Sequence, residues 1–183
     1  MQDLKHKLAK LLLEKSYIEG EVTLTSGRKS DYYFDCKQTA LHPEGGYLIG
    51  KLLLEMLPAE VEAVGGMTLG ADPLVSSVSV LSYLEKRPLP AFIIRKKPKG
   101  HGTNQYLEGT ANLEPGQKVA LLEDVVTTGG TLLKSVEVVM EAGFEISAVL
   151  CVLDREEGGA EKLAEKDLEL TSLFTRQQLL KSA

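Results

Sequence analysis

The sequence is short of several things, and each shortage closes off a class of function. Cysteine occurs only twice in 183 residues, at Cys36 and Cys151. The two lie far apart without CxxC or Cys/His spacing, which argues against a zinc site and favours buried or free thiols in a reducing, cytoplasmic compartment over a disulfide. Basic charge is in deficit, with 21 Lys and Arg against 26 Asp and Glu and a formal net charge of -5. Nucleic acid and anionic membranes demand a basic surface, so neither is an expected partner. No apolar run approaches the roughly 20 residues of a membrane span. The opening MQDLKHKLAK reads as an amphipathic helix rather than a signal peptide. Repeats and low-complexity segments are also missing.

What is present suits an enzyme-sized core. With 43% hydrophobic residues over 183 positions, the chain is expected to form one domain, residues 1–183, in which residues 1–40 make a small cap. Leu4, Leu8, Leu11 and Leu12 share one face of a helix over 3–16, with Asp3 at its N-cap. Residues 21–37 read as two short strands around Ser26-Gly27-Arg28, and Pro43 opens a helix that stops at Pro58. Beyond it come a strand at 61–65, a helix at 73–86, strands at 89–95 and 118–123, and a helix at 131–142 closed by Gly143. A buried strand at 146–153, another at 168–174 and a terminal helix with a Thr175–Gln178 capping box complete the pattern. This alternation predicts an α/β fold, with a mostly parallel central sheet and helices on both faces. Residues 96–117 form one long irregular piece, and such loops are functional or disordered.

Three stretches concentrate chemistry. LLEDVVTTGGTLL, residues 121–133, is strand, loop and helix in the order that places a ligand at a sheet's C-terminal edge. Thr127, Thr128, Gly129, Gly130 and Thr131 offer N–H and hydroxyl groups to a phosphate at the helix N-terminus. Glu123 and Asp124 would repel that phosphate unless they grip another part of the same ligand. Acceptor-only carboxylates match the two donors of a vicinal diol, so a ribose 5-phosphate fits. Neither a Walker loop nor a GxGxxG fingerprint is present. RKKPKGHGT, residues 95–103, sets Arg95, Lys96, Lys97, Lys99 and His101 as a basic island in an acidic chain. It reads either as a solvated loop or as a cationic flap over a multiply charged leaving group. In SGRKSDYYFD, residues 26–35, Tyr32, Tyr33 and Phe34 must expose at least one ring, which is core or a platform for a planar base. Arg155 ends a buried strand, either as a fork for a carboxylate or as a surface partner of Glu156 or Glu157.

Taken in order, LLEDVVTTGGT is similar to the phosphoribosyl pyrophosphate signature of the type I phosphoribosyltransferases. SGRKSDYYFD, RKKPKGHG and LDREEGG resemble its orotate-specific branch, over roughly residues 5–175. The resemblance implies transfer of the phosphoribosyl group from phosphoribosyl pyrophosphate to orotate, with Mg2+ reaching the site through the substrate pyrophosphate and water rather than through protein ligands. Carried over by position, it implies that Glu123 and Asp124 hold the ribose hydroxyls, that Val125 and Val126 continue the binding segment, and that Thr127, Thr128, Gly129, Gly130 and Thr131 hold the 5'-phosphate. Arg95, Lys96, Lys99 and His101 would meet the pyrophosphate, with Lys99, His101 and Asp124 the catalytic residues. Thr127, Arg155 and the ring of Phe34 or Tyr33 would meet orotate. In this family the basic loop reaches the neighbouring subunit, which implies a homodimer with a shared active site. Two departures stand out: Thr25 occupies a position that some members give to an orotate-binding Lys, and Leu69-Gly70 replaces a Tyr-Lys pair. The rival readings are a purine phosphoribosyltransferase and a non-catalytic sensor of phosphoribosyl pyrophosphate.

Overall fold

The computed structural model describes residues 1–23, 29–98 and 106–182. The chain opens with α1 (Gln2–Lys15), which buries Leu8, Ala9 and Leu12. Asp3 is not its N-cap: the helix begins after Met1, and Asp3 sits in the first turn 2.9 Å from Lys7 Nζ, one turn along. An antiparallel hairpin follows, β1 (Tyr17–Thr23) with β2 (Lys29–Phe34). Next comes a short helix that the pattern did not predict, α2 (Cys36–Ala40). Pro43 stands at the start of α3 (Pro43–Met56), where its missing N–H costs nothing, and Nδ1 of His42 accepts the Gly45 N–H at 3.4 Å.

The remaining elements are β3 (Ala63–Met67), α4 (Asp72–Leu84), β4 (Ala91–Ile94), β5 (Leu107–Glu108), β6 (Lys118–Val126), α5 (Gly130–Glu141), β7 (Glu145–Asp154), α6 (Gly159–Ala164), β8 (Leu170–Thr175) and α7 (Arg176–Leu180). Six strands form one sheet in the order β5-β4-β3-β6-β7-β8. Every pairing is parallel except β5 on β4, so the predicted α/β architecture is present. The predicted capping box is there too, with Thr175 and Gln178 capping α7 reciprocally. Gly143, φ +87°, takes the left-handed conformation just beyond α5. Within the irregular 96–117 stretch the structure finds β5 and a 3-10 turn at Thr110–Asn112.

Each face of the sheet has its own core. Ala120, Leu122, Leu150 and Val152 face the layer of α1, α3 and α4, while Val119, Leu121, Val149 and Cys151 face that of α5 and α6. Central parallel strands are covered on both sides, so β6 and β7 read as continuous apolar runs. Cys36 and Cys151 are both buried and free. Among the described residues no helix is long and apolar enough to cross a membrane.

Candidate active site

The site starts from the end of β6, which runs three residues past its expected stop at 123. Val125 and Val126 stay in register with Leu153 and Asp154 of β7, so Asp124 lies inside the strand along with Glu123. Successive strand side chains point to opposite faces. Glu123 borders the cavity beside α5, and Asp124 faces Lys37 of α2 and Gly70 before α4. Glu123 Oε1 accepts the Asp124 N–H at 3.2 Å, and Asp124 Oδ1 accepts the Val125 N–H at 2.8 Å. Glu123 is only 7% exposed. Burial first, and the neighbouring Asp124 carboxylate second, push its carboxyl well above the ordinary range.

Beyond Val126 the chain turns through Thr127 and Thr128 to Gly129, whose φ of +74° marks the entry to α5. No side chain caps this helix, so its first-turn N–H groups point at whatever anion binds there. Thr127, Thr128, Gly129, Gly130, Thr131 and Lys134 line a cavity of about 340 Å³ that Glu123 borders. Gly129 lies against Gly159 at the start of α6, where an added Cβ would come within 3.1 Å of a carbonyl oxygen.

A second cavity, again about 340 Å³, adjoins the first and shares Glu123, Val125 and Thr131 with it. Its other wall comes from far away in sequence: Lys37 of α2, Thr68, Leu69 and Gly70 between β3 and α4, and Lys96 beyond β4. Asp72 at the start of α4 accepts the Thr68 hydroxyl at 2.8 Å and so ties the 68–70 loop to the helix. That loop passes close enough to Asp124 that a Cβ at Gly70 would stand 2.5 Å from Asp124 Oδ1. Lys37 Nζ lies 2.5 Å from Asp35 Oδ1 and 4.0 Å from Asp124 Oδ2. Burial alone would lower its ammonium's pKa, but the Asp35 hydrogen bond and the Asp124 charge outweigh that and raise it. A third hollow, sharing Thr68 and Lys96, is lined by Arg95, Lys97, Asp72 and Glu108. Arg95 pairs there with Glu108 at 2.9 Å.

Comparison with known proteins shows the family to which the chain belongs. The phosphoribosyl transferase domain family matches residues 64–175. The orotate phosphoribosyltransferase of a Nostoc species is 48% identical over 176 residues, which cover 96% of this chain and 85% of that protein. The chain belongs to the orotate phosphoribosyltransferase family. Among solved structures, the orotate phosphoribosyltransferase of Mycobacterium tuberculosis superposes with a TM-score of 0.84 at 37% identity, over 96% of this chain and 98% of that one. A crystal structure of the same enzyme holding phosphoribosyl pyrophosphate gives 0.80 at 34% identity, over 96% and 98%.

For a member of the orotate phosphoribosyltransferase family, the structure gathers Glu123, Asp124, Val125, Val126, Thr127, Thr128, Gly129, Gly130, Thr131 and Lys96 around two joined cavities. Arg95 stands one hollow away, engaged with Glu108. Lys99, His101 and Thr25 lie outside the described residues. Arg155 is neither of its two sequence alternatives in pure form. It is 6% exposed, its Nε donates to Glu157 Oε1 at 2.8 Å, and its guanidinium lies 4.4 Å from the Tyr32 ring centre, a position Arg176 also takes at 4.3 Å. Of the three adjacent rings, Tyr32 and Phe34 are buried in the core and Tyr33, 40% exposed, faces outward. Of the two rings expected near orotate, Phe34 therefore packs into the core and Tyr33 presents the more open face. Lys37 and Lys134 were missed. A lone Lys in a five-residue helix carries no sequence signal, whereas Lys134, one turn into α5 from the cradle, could have been found from helical spacing.

Proposed function

We propose that the joined cavities hold phosphoribosyl pyrophosphate across the end of β6 and transfer its phosphoribosyl group to orotate, giving orotidine 5'-phosphate and pyrophosphate. The single observation that carries the reading is the sharing of Glu123 between an uncapped, Gly-rich helix N-terminus and a cavity flanked by carboxylate and ammonium groups. A phosphate on one side and a diol on the other is the polarity of a ribose 5-phosphate. Backbone N–H groups from Thr127 to Thr131 take the 5'-phosphate, with Lys134 as a nearby counter-charge. Asp124 and Glu123 accept the ribose hydroxyls. As the bond from the sugar to pyrophosphate breaks and the bond to the orotate ring nitrogen forms, positive charge grows on the sugar, and the two carboxylates stabilise it. Lys96, Arg95 and Lys97 surround the space next to it. With Lys99 and His101 they neutralise the departing oxygens and supply a proton donor. Thr127, Arg155 and the Tyr33 ring meet orotate.

Magnesium fits this donor set in one particular way. Among the described residues no group of three or more His, Cys, Asp or Glu could cage an ion. A hard cation that keeps most of its waters and is brought in on phosphate oxygens needs no such cage. Held in that way it would supply screening of the diphosphate charge, while Glu123, Asp124 and Lys96 orient the sugar and its leaving group. The mature enzyme is read as a cytoplasmic homodimer with a shared active site. Val80, Tyr83 and Leu84 of α4 and Tyr47 of α3 are half or more exposed, an apolar face of the kind a second copy covers. The test is to incubate the protein with magnesium, phosphoribosyl pyrophosphate and, separately, orotate, uracil, adenine and hypoxanthine, following pyrophosphate release and measuring the mass in solution. Release with orotate alone is expected; release with adenine or hypoxanthine instead would overturn the assignment.

A further inference from the structure

The second cavity has a charge problem that the residues carried over from the family answer on one side. Asp124 and Glu123 bring two carboxylates to a place meant for a polyanion, and close like charges cost several kcal/mol unless a cation lies between them. Lys96 answers from one side. Lys37 answers from the other, and its mounting is unusually well supported for a surface-length side chain. Asp35 caps α2 by accepting the Lys37 N–H at 3.2 Å and grips the Lys37 ammonium with the same oxygen. The helix itself is pinned to α1: the Asp35 N–H donates to the Ser16 carbonyl at 2.9 Å, and the Ser16 and Thr39 hydroxyls share a buried hydrogen bond at 2.6 Å. A side chain locked by such supporting bonds is pre-organised for one position.

We propose that Lys37 is a donor-binding residue of the transfer reaction: its ammonium offsets Asp124 and meets an anionic oxygen of the diphosphate-bearing sugar opposite Lys96. The proposal rests on the function given above. Three features carry it together, namely the 4.0 Å approach to Asp124, the shared cavity wall with Lys96 and the fixed short helix beneath. Lys37 faces Asp35, Asp124 and, at longer range, Tyr33. Its nearest bond is to Asp35, so the ammonium is held at the cavity wall, ready to share a phosphate oxygen without leaving its anchor.

The experiment uses the full chain with magnesium and compares wild type, Lys37→Gln and Lys37→Arg by steady-state kinetics in both substrates, with thermal melting of each. Lys37→Gln should raise the KM for phosphoribosyl pyrophosphate about tenfold, the size of one charge-assisted contact, while the KM for orotate moves less than about twofold. Lys37→Arg keeps the charge and should restore the donor KM to within about threefold of wild type. Equal losses in the two variants would overturn the proposal, since charge would then not be what matters. So would an unchanged donor KM, or a rise confined to orotate. If Lys37→Gln does not fold, Lys37→Arg decides alone: a tenfold donor loss at wild-type melting temperature overturns it, and near-wild-type kinetics supports it. A wild-type protein that releases no pyrophosphate with orotate fails at the earlier step and removes the transfer reading itself.

Discussion

The two walls of the cleft are built in different ways. One is a single run of chain, from Glu123 through Thr131 into α5, in which strand, turn and helix N-terminus succeed each other within a dozen residues. The other is assembled from Lys37, Thr68–Gly70 and Lys96, brought together from three separate parts of the sequence. The contiguous wall owes its geometry to local rules: β6 fixes the acids, Gly129 supplies the left-handed turn, and the uncapped helix supplies the N–H groups. The assembled wall owes its geometry to packing, because α2 lies against α1 and the 68–70 loop is tied to Asp72. Local wiring sets which chemical groups are present; tertiary packing sets how they are balanced.

The largest effect is expected where the walls meet. Asp124→Asn keeps the shape and removes the charge that the proposed mechanism uses to stabilise the sugar, so kcat/KM should fall about a hundredfold, near 2.7 kcal/mol of transition-state stabilisation. A change below threefold in steady-state assays would show that the carboxylate is dispensable. Gly70→Val changes the assembled wall and presses it against the contiguous one. Its Cβ would start 2.5 Å from Asp124 Oδ1, and we expect kcat/KM to drop about tenfold, since a misplacement of about 1 Å costs up to a hundredfold. Melting close to wild type is expected beside that loss, because the clash is with a side chain at the cleft.

Gly129→Ala strikes the contiguous wall. A φ of +74° and the close Gly159 backbone should cost about 1–2 kcal/mol of stability, seen as a melting temperature lower by several degrees, and should weaken inorganic phosphate as a competitive inhibitor. Unaltered melting would mean that the turn relaxes freely. The smallest effect concerns Glu123, whose buried carboxyl has a raised pKa. A raised acid favours the folded state while protonated. Stability is therefore lost as pH rises from the unfolded value near 4.5, and the loss is complete above the folded pKa. Glu123→Gln should melt higher than wild type at pH 8, by about 2–4 °C per kcal/mol relieved, with the gap closing toward pH 4. A gap that widened on acidification would reverse the sign of this account.

The same contrast governs what could be read in advance. The sheet, its parallel sense and the α7 capping box were legible because apolar runs and capping residues are local signals. Where the reading slipped, a local signal was overruled by tertiary packing. The strand expected at 61–65 lies at Ala63–Met67, where its two glycines are required by close packing: a Cβ at Gly65 would fall within 2.1 Å of the Phe92 ring, and one at Gly66 within 2.3 Å of the Leu122 carbonyl oxygen. β6 was expected to end at 123, and pairing with β7 carries it to Val126. The glycine turn into α5 was legible, and the burial of Phe34, the Tyr32 stack on Arg155 and the reach of Lys37 were not, because each depends on partners at long sequence separation.

The alternation of side chains along β6 has a mechanical consequence. With Glu123 bordering the cavity beside α5 and Asp124 facing Lys37 and the 68–70 loop, a sugar held by both, as proposed, would become a crosspiece between the two sides of the sheet. Filling the cleft would then fasten those sides to each other, making the substrate, for as long as it stays, one of the protein's own structural members.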